Sequence, residues 1–132
     1  MGAPKRVNVM ELLVVDSEIR PDAVLVYVKG EVDSSTAGAL RSQLDAALQQ
    51  AGSHESRLLI VDLQGVTYFG SAGLNAVLDC YKQGLEAGTS VRLVADNALV
   101  VRPIEVTNLD SLLELYPTLS DALEGRDSEQ GS

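Results

Sequence analysis

The sequence predicts an α/β fold: one domain in which a short sheet is covered by helices and opens with a β-hairpin. Three observations carry this. Short runs rich in β-branched residues recur along the chain, the stretches between the later ones carry apolar residues at helical spacing, and the two kinds of segment alternate once the first two strands are passed. Alternation of that kind joins parallel strands through right-handed crossovers.

The opening hairpin comes from residues 12–15 and 24–28, with the polar stretch 16–23 and its Pro21-Asp22 pair between them. Gly30-Glu31-Val32-Asp33 then breaks the second strand, and Asp33, Ser34, Ser35 and Thr36 offer N-caps for a helix. That helix sets Ala37, Leu40, Leu44, Ala47, Leu48 and Ala51 on one stripe and ends at Gly52. Residues 58–61, Leu-Leu-Ile-Val, are continuously apolar and short, as a central strand buried on both faces is. A turn-rich approach, 64–70, leads to Ser71 and a second helix whose stripe is Leu74, Val77, Leu78, Tyr81 and Leu85, with Gly88 as its C-cap.

Residues 91–95 read as a further strand and Asn97 as a cap. Residues 98–108 read as a short helix broken or restarted at Pro103, because proline suits the first position of a helix better than its interior. Residues 112–116 form a last strand and 119–123, after Pro117, a last turn of helix. The domain is therefore expected over 12–124, with 1–11 an N-terminal extension and 125–132 a polar tail without apolar anchors, expected to be disordered.

A chain of 132 residues, 45% of them hydrophobic, suffices for one core. Aromatic residues are only 4% and tryptophan is absent, so that core is built from Leu, Val, Ile and Ala. Nineteen acidic against ten basic residues give a net charge of -9, which opposes the phosphate attraction that nucleic-acid binding needs. The charge serves solubility or a partner with a basic surface. A single cysteine, Cys80, excludes an internal disulfide and leaves a reducing cytoplasm as the default. Lys5 and Arg6 are followed by no apolar leader segment, and no apolar run reaches membrane length, so a soluble, unexported protein is expected.

The most singular stretch is Phe69-Gly70-Ser71-Ala72-Gly73-Leu74, where a serine stands at the junction of a loop and a helix. By itself Ser71 reads as an N-cap. A nucleophile elbow needs glycine two residues before the serine, where this chain has Phe69, and the single histidine, His54, precedes the serine instead of following it. Gly65, Gly70 and Gly73 fit neither the dinucleotide spacing nor a phosphate-binding loop. One histidine and one cysteine far apart, with no calcium-loop spacing, give no metal site. Asp33 and Asp62 read as helix-capping or loop-bonding carboxylates. Cys80 reads as a small semi-buried filler, with an intermolecular disulfide left open.

Two motifs at this separation resemble those of the STAS domains, whose founding members include bacterial anti-sigma-factor antagonists, or anti-anti-sigma factors. The resemblance spans about 12–123. It rests on Gly30-Glu31-Val32-Asp33 followed by Thr36-Ala37 and Leu40, and on Val61-Asp62-Leu63, Val66 and Phe69-Gly70-Ser71-Ala72-Gly73-Leu74. It implies a non-enzymatic switch of STAS type that binds a serine-kinase anti-sigma factor, so that the sigma factor is freed, and that is inactivated when the kinase phosphorylates Ser71. The resemblance further implies a partner surface including Glu31, Asp33, Ser34, Gly70, Ala72, Gly73 and Asn75. No cofactor is implied beyond the ATP held by the kinase, nor any nucleic acid or membrane. A phosphatase is a second candidate partner, and a monomer or weak dimer is expected.

The chain departs from the family signature at three places: Gly70 stands where the family has aspartate, Ala72 where it has a second hydroxyl, and Asn75 where a glycine usually follows. The alternative is a STAS sensory or scaffold module that binds a small ligand or a signalling assembly without phosphorylation. A phosphate on Ser71 would add roughly -1.5 to -2 charges at a helix N-terminus, which stabilises anions, so binding and not folding is expected to switch.

Overall fold

The computed structural model describes residues 5–9 and 12–125. The hairpin is longer and tighter than expected. β2 (Leu13–Arg20) and β3 (Ala23–Val32) are joined by Pro21-Asp22 alone and pair antiparallel from Leu13↔Gly30 to Arg20↔Ala23. Residues 16–20, polar except for Ile19, are strand because β2 lies toward the margin of the sheet: beyond Val15 its side chains are only half-buried, so carboxylates and hydroxyls stay solvated without leaving the ladder. β1 (Lys5–Val9) adds antiparallel to β2, so the sheet starts inside the stretch expected to be an extension. Residues 1–4, 10 and 11 of that extension, and 126–132 of the tail, lie outside the described residues; Gly125 caps the last helix at φ 71.

Gly30 does not break β3. It takes a φ of +105°, where a Cβ would stand 2.1 Å from the Leu12 carbonyl oxygen, and the Glu31 N–H donates to that same oxygen at 2.8 Å. Only glycine permits this approach. The strand kinks and runs on to Val32.

α1 (Ala37–Ser53) buries the expected stripe of Ala37, Leu40, Leu44, Ala47, Leu48 and Ala51. β4 (Leu58–Phe69) continues far beyond residue 61, so the expected turn-rich approach 64–70 is mostly strand; shifts of register against β3 absorb Gly65 and its neighbours. α2 (Ser71–Ala87) ends on Gly88 at φ 75, as its sequence implied. After β5 (Ser90–Val94), α3 (Ala98–Val106) runs straight through Pro103 instead of breaking there. Proline removes one i to i−4 bond, but the helix is only nine residues long and is held at both ends: Asn97 Oδ1 accepts from Val100 N at 3.0 Å, and Thr107 Oγ1 donates to the Pro103 carbonyl at 2.8 Å. A 3₁₀ turn (Leu109–Ser111) shortens the last strand, β6, to Glu114–Tyr116, and α4 (Leu119–Glu124) follows with Thr118 as its N-cap.

The six strands lie side by side in chain order, β1-β2-β3-β4-β5-β6, antiparallel as far as β3 and parallel from there on. β4 sits between β3 and β5, as expected of the central strand. Alternate residues of β3 and β4 enter two separate cores. Val24, Val26, Val28, Leu59, Val61 and Leu63 pack beneath α1, α2 and α3, while Ala23, Leu25, Leu58 and Ile60 pack with Val94, Tyr116 and Ala122 beneath α4. Burial on both faces explains why these strands read as unbroken apolar runs. Cys80 is more deeply buried than the semi-buried filler expected, at 3% exposed. Among the described residues no helix is long and apolar enough to cross a membrane, and no group of three or more His, Cys, Asp and Glu could hold a metal ion.

Candidate functional site

Parallel strands deliver their carboxyl ends, and the helices that follow, to one rim of the sheet. β3 and β4 end together there: Val32 is paired with Phe69, and the Gly70 N–H donates to the Val32 carbonyl at 2.9 Å. This clasp sets the loop after β3, with Asp33 and Ser34, beside the start of α2, with Ser71. Both sequence motifs therefore meet at one place.

The loop after β3 is self-organised. Asp33 Oδ1 accepts from Ser35 N at 2.9 Å, Ser35 Oγ at 2.7 Å and Thr36 N at 3.2 Å. In return the Asp33 N–H donates to Thr36 Oγ1 at 3.0 Å, and that hydroxyl donates to the Glu31 carbonyl at 2.8 Å. The Ser35 hydroxyl first, then the Ser35 and Thr36 amides, hold the Asp33 carboxyl below the usual range, so it stays ionised at neutral pH. Thr36 is the buried member of this turn and the N-cap position of α1, where its side chain makes no capping bond. Asp33 thus acts mainly on its own loop. Ser34 is exposed, and Glu31 is half-buried at the strand end.

Ser71 is not the N-cap. That position falls to Gly70 in extended conformation, and its carbonyl accepts from the N–H groups of Gly73 at 3.0 Å and Leu74 at 3.1 Å. Ser71 is the first helical residue, exposed, and its hydroxyl bonds to no described residue. No side chain caps the α2 N-terminus and no acid lies in its first turn, so its leading N–H groups are left without a side-chain acceptor. Asn75 stands one turn along on the same exposed face, and Ala72 is half-buried.

Gly73 is beneath the surface instead of on it. A Cβ there would lie 2.5 Å from Val32 Cγ1 and 3.1 Å from Phe69 Cε1, so glycine is what lets the first turn of α2 sit down on the two strand ends. Its part in any docking surface is indirect: it fixes the height at which Ser71 stands.

One residue at this rim escaped the sequence reading. Tyr68, opposite Glu31 in the β3–β4 register, is 52% exposed and lays its ring against Gly70. The available signal was an aromatic residue in Val66-Thr67-Tyr68-Phe69-Gly70, where Phe69 and not Tyr68 continues the apolar face.

The other groups considered lie apart from this rim or are inert. Burial, with the charge of Asp45 second, pushes the Cys80 thiol up to about 12, so it is no nucleophile in the folded chain. Burial raises Asp62, opposed by a bond from the Gln64 N–H at 2.9 Å and reinforced by Asp96. A cleft of about 620 Å³ between α3 and β6 is lined by Asp96, Glu105, Asp110 and Glu114 among apolar residues, a setting that repels phosphate.

The STAS domain family matches residues 14–122. The anti-sigma-F factor antagonist RsfB of Mycobacterium tuberculosis is 32% identical over 101 residues, 76% of this chain and 79% of that protein. The crystal structure of an anti-sigma factor antagonist from Mycobacterium paratuberculosis is 31% identical and aligns over 90% of this chain and 97% of that one, with a TM-score of 0.78. The anti-sigma factor antagonist SpoIIAA, in its unphosphorylated form, shares the fold at 16% identity, with a TM-score of 0.66 over 89% of this chain and 97% of that one.

Proposed function

This chain belongs to the STAS domain family of anti-anti-sigma factors, and from that premise we propose that it binds a serine-kinase anti-sigma factor through the rim around Ser71, frees the sigma factor, and is released when the kinase phosphorylates Ser71. The observation that carries the reading is the state of Ser71: an exposed residue whose hydroxyl has no partner among the described residues, on the first residue of a helix without a side-chain cap, held at fixed height by the Val32–Gly70 clasp and by Gly73. A kinase needs a hydroxyl it can reach, and a switch needs one whose modification leaves the core alone. Ser71 meets both demands.

In the free chain the phosphate stands in water at a helix N-terminus, which favours an anion, so the fold is unharmed. In the complex the same group must be desolvated against a surface shaped for a neutral hydroxyl, and that penalty falls on binding. The contact surface is formed by Glu31, Ser34, Gly70, Ala72 and Asn75, with Asp33 and Gly73 holding it in shape. The chain itself acts as a binding switch without a cofactor; the ATP is the kinase's. The rival sensory-module reading would need a ligand site, and the acidic lining of the α3–β6 cleft argues against a nucleotide there.

The test is incubation with ATP and each kinase-type anti-sigma factor encoded in the same genome, read by intact mass. Wild type is expected to gain one phosphate and lose its complex, and Ser71→Ala to bind without gaining mass. If the alanine variant is phosphorylated to the same extent, Ser71 is not the acceptor.

A further inference from the structure

A tyrosine that stays half in solvent beside a proposed acceptor serine calls for a reason. Tyr68 is 52% exposed, and its hydroxyl bonds to no described residue. The ring nevertheless has a defined seat. It lies over the backbone of Gly70, where a Cβ would be 3.2 Å from Tyr68 Cε2, 3.3 Å from its Oη and 3.6 Å from its Cζ. The contact is made by the polar end of the ring, and a side chain at residue 70 would crowd it. Glycine at 70 thus gives a tyrosine hydroxyl a place against the peptide that leads directly into Ser71, whose own hydroxyl is equally free.

The surrounding charges give that hydroxyl something to do. Among the described residues the carboxylates at this rim are Glu31, opposite Tyr68 in the strand register, and Asp33, two residues further along; the first turn of α2 supplies no acid, and an ionised carboxylate donates nothing to an anion. A phosphate on Ser71 would have the start of α2 at its own end and these two acids on the neighbouring strand end and loop. A neutral O–H donor at the position of Tyr68 tips that balance toward the dianion. Resting on the reading of Ser71 as phospho-acceptor, we propose that Tyr68 is a phosphate-receiving group: its hydroxyl, seated on Gly70, donates a hydrogen bond to the phosphoserine at 71 and holds the modified side chain on the protein's own surface. Tyr68 is a positioning residue in this scheme, and no bond to phosphorus is made or broken by it. The phosphorylated chain would then occupy internally, with phosphate and tyrosine together, the part of the rim that the kinase must reach.

The experiment needs no kinase. Phosphoserine is placed at 71 of the full chain by genetic encoding, and the ³¹P resonance is followed through its second ionisation, which lies near pH 6 for an unperturbed phosphoserine. In the chain with Tyr68 the midpoint is expected about 0.5 unit lower than in Tyr68→Phe, because a donor to the dianion favours the charged form. Tyr68→Phe keeps the ring and so leaves packing unchanged. Gly70→Ala, which pushes a methyl into the ring, is expected to move the midpoint toward that of Tyr68→Phe while far-UV circular dichroism stays that of the wild type. Midpoints for the Tyr68 chain and for Tyr68→Phe that coincide within about 0.1 unit overturn the proposal. That outcome leaves the switching of Ser71 by a kinase untouched, since the phosphate was installed without one; failure of any kinase to modify Ser71 would sink the earlier reading and leave this titration standing.

Discussion

Gly73→Ala adds one methyl group beneath the site, and its cost can be worked from the packing. The new Cβ would lie 2.5 Å from Val32 Cγ1 and 3.1 and 3.2 Å from Phe69 Cε1 and Cδ1. Carbon atoms rest at about 3.5–4.0 Å, so the overlap with the valine methyl is about 1 Å. Val32 is fully buried and β-branched, with a restricted χ1, so it has little room to swing away; Phe69 is 6% exposed and enclosed as well. Overpacking of this kind costs about 1–3 kcal/mol, while alanine in place of glycine returns up to about 1 kcal/mol of helix propensity. The net expectation is a loss of about 1–2 kcal/mol.

Gly38→Ala supplies the reference, because Gly38 also lies in the first turn of a helix and a Cβ there meets nothing within 4 Å. It should stabilise by about 0.5–1 kcal/mol. Urea unfolding of both variants, with a common m-value, isolates the clash as the difference between them, about 2 kcal/mol. Gly73→Ala should also lift the first turn of α2 and lower the yield of Ser71 phosphorylation at fixed kinase. A Gly73→Ala protein as stable as wild type would show that α2 is not seated on Val32 and Phe69 as described.

Three further outcomes follow from other parts of the fold. Gly30→Ala forces a side chain into a left-handed conformation and onto the Leu12 carbonyl, so it should cost more than about 3 kcal/mol in urea unfolding, or yield no soluble protein; a loss below about 1 kcal/mol contradicts the kink. The Asp33 carboxyl is held below its ordinary value of 3.8, so its contribution is full above that value and is lost as pH falls through the lower folded-state pKa. The stability advantage of wild type over Asp33→Asn should therefore be constant near neutrality and shrink as pH falls below 3.8; an advantage that grows on acidification contradicts the loop chemistry. Cys80, with its thiol pushed up to about 12, should react with a disulfide reagent at about pH 8 only as fast as the chain opens, and at once in concentrated urea; rapid stoichiometric labelling of the native protein would show the thiol to be exposed.

The parts of the fold legible in sequence were those whose burial is regular. The stripe of α1, the apolar run at 58–61 and the glycine cap at 88 each reflect one periodicity or one backbone demand, and each stands where the pattern puts it; the α2 stripe holds at Leu74, Val77 and Tyr81, while Leu78 is half-buried and Leu85, near the end of the helix, is 59% exposed. What was missed depends on partners far away in the chain. Residues 16–20 are strand because β3 pairs with all of them, and β1 with Asp16 and Ser17, not because they alternate. The end of β4 holds its pairing through shifts of register that only β3 could reveal. Pro103 is tolerated inside a helix because Asn97 and Thr107 secure the ends. At the site, the junction of strand and helix was readable, but the exchange of roles between Gly70 and Ser71 was not. The seat of Tyr68 on Gly70 depends on how the ring folds back over its own strand end, and no spacing rule encodes that.

The order of the sheet has a consequence for how the molecule comes into being. Since β1 to β6 lie in chain order, no strand has to slip between two already in place, and each of β3 to β6 finds its predecessor after a tight hairpin or a helical crossover. Such a chain can be laid down strand by strand as it leaves the ribosome, with the hairpin of β2 and β3 serving as the template on which each later crossover docks. The rim carrying Ser71 is complete once α2 has emerged, before the last third of the protein has followed it.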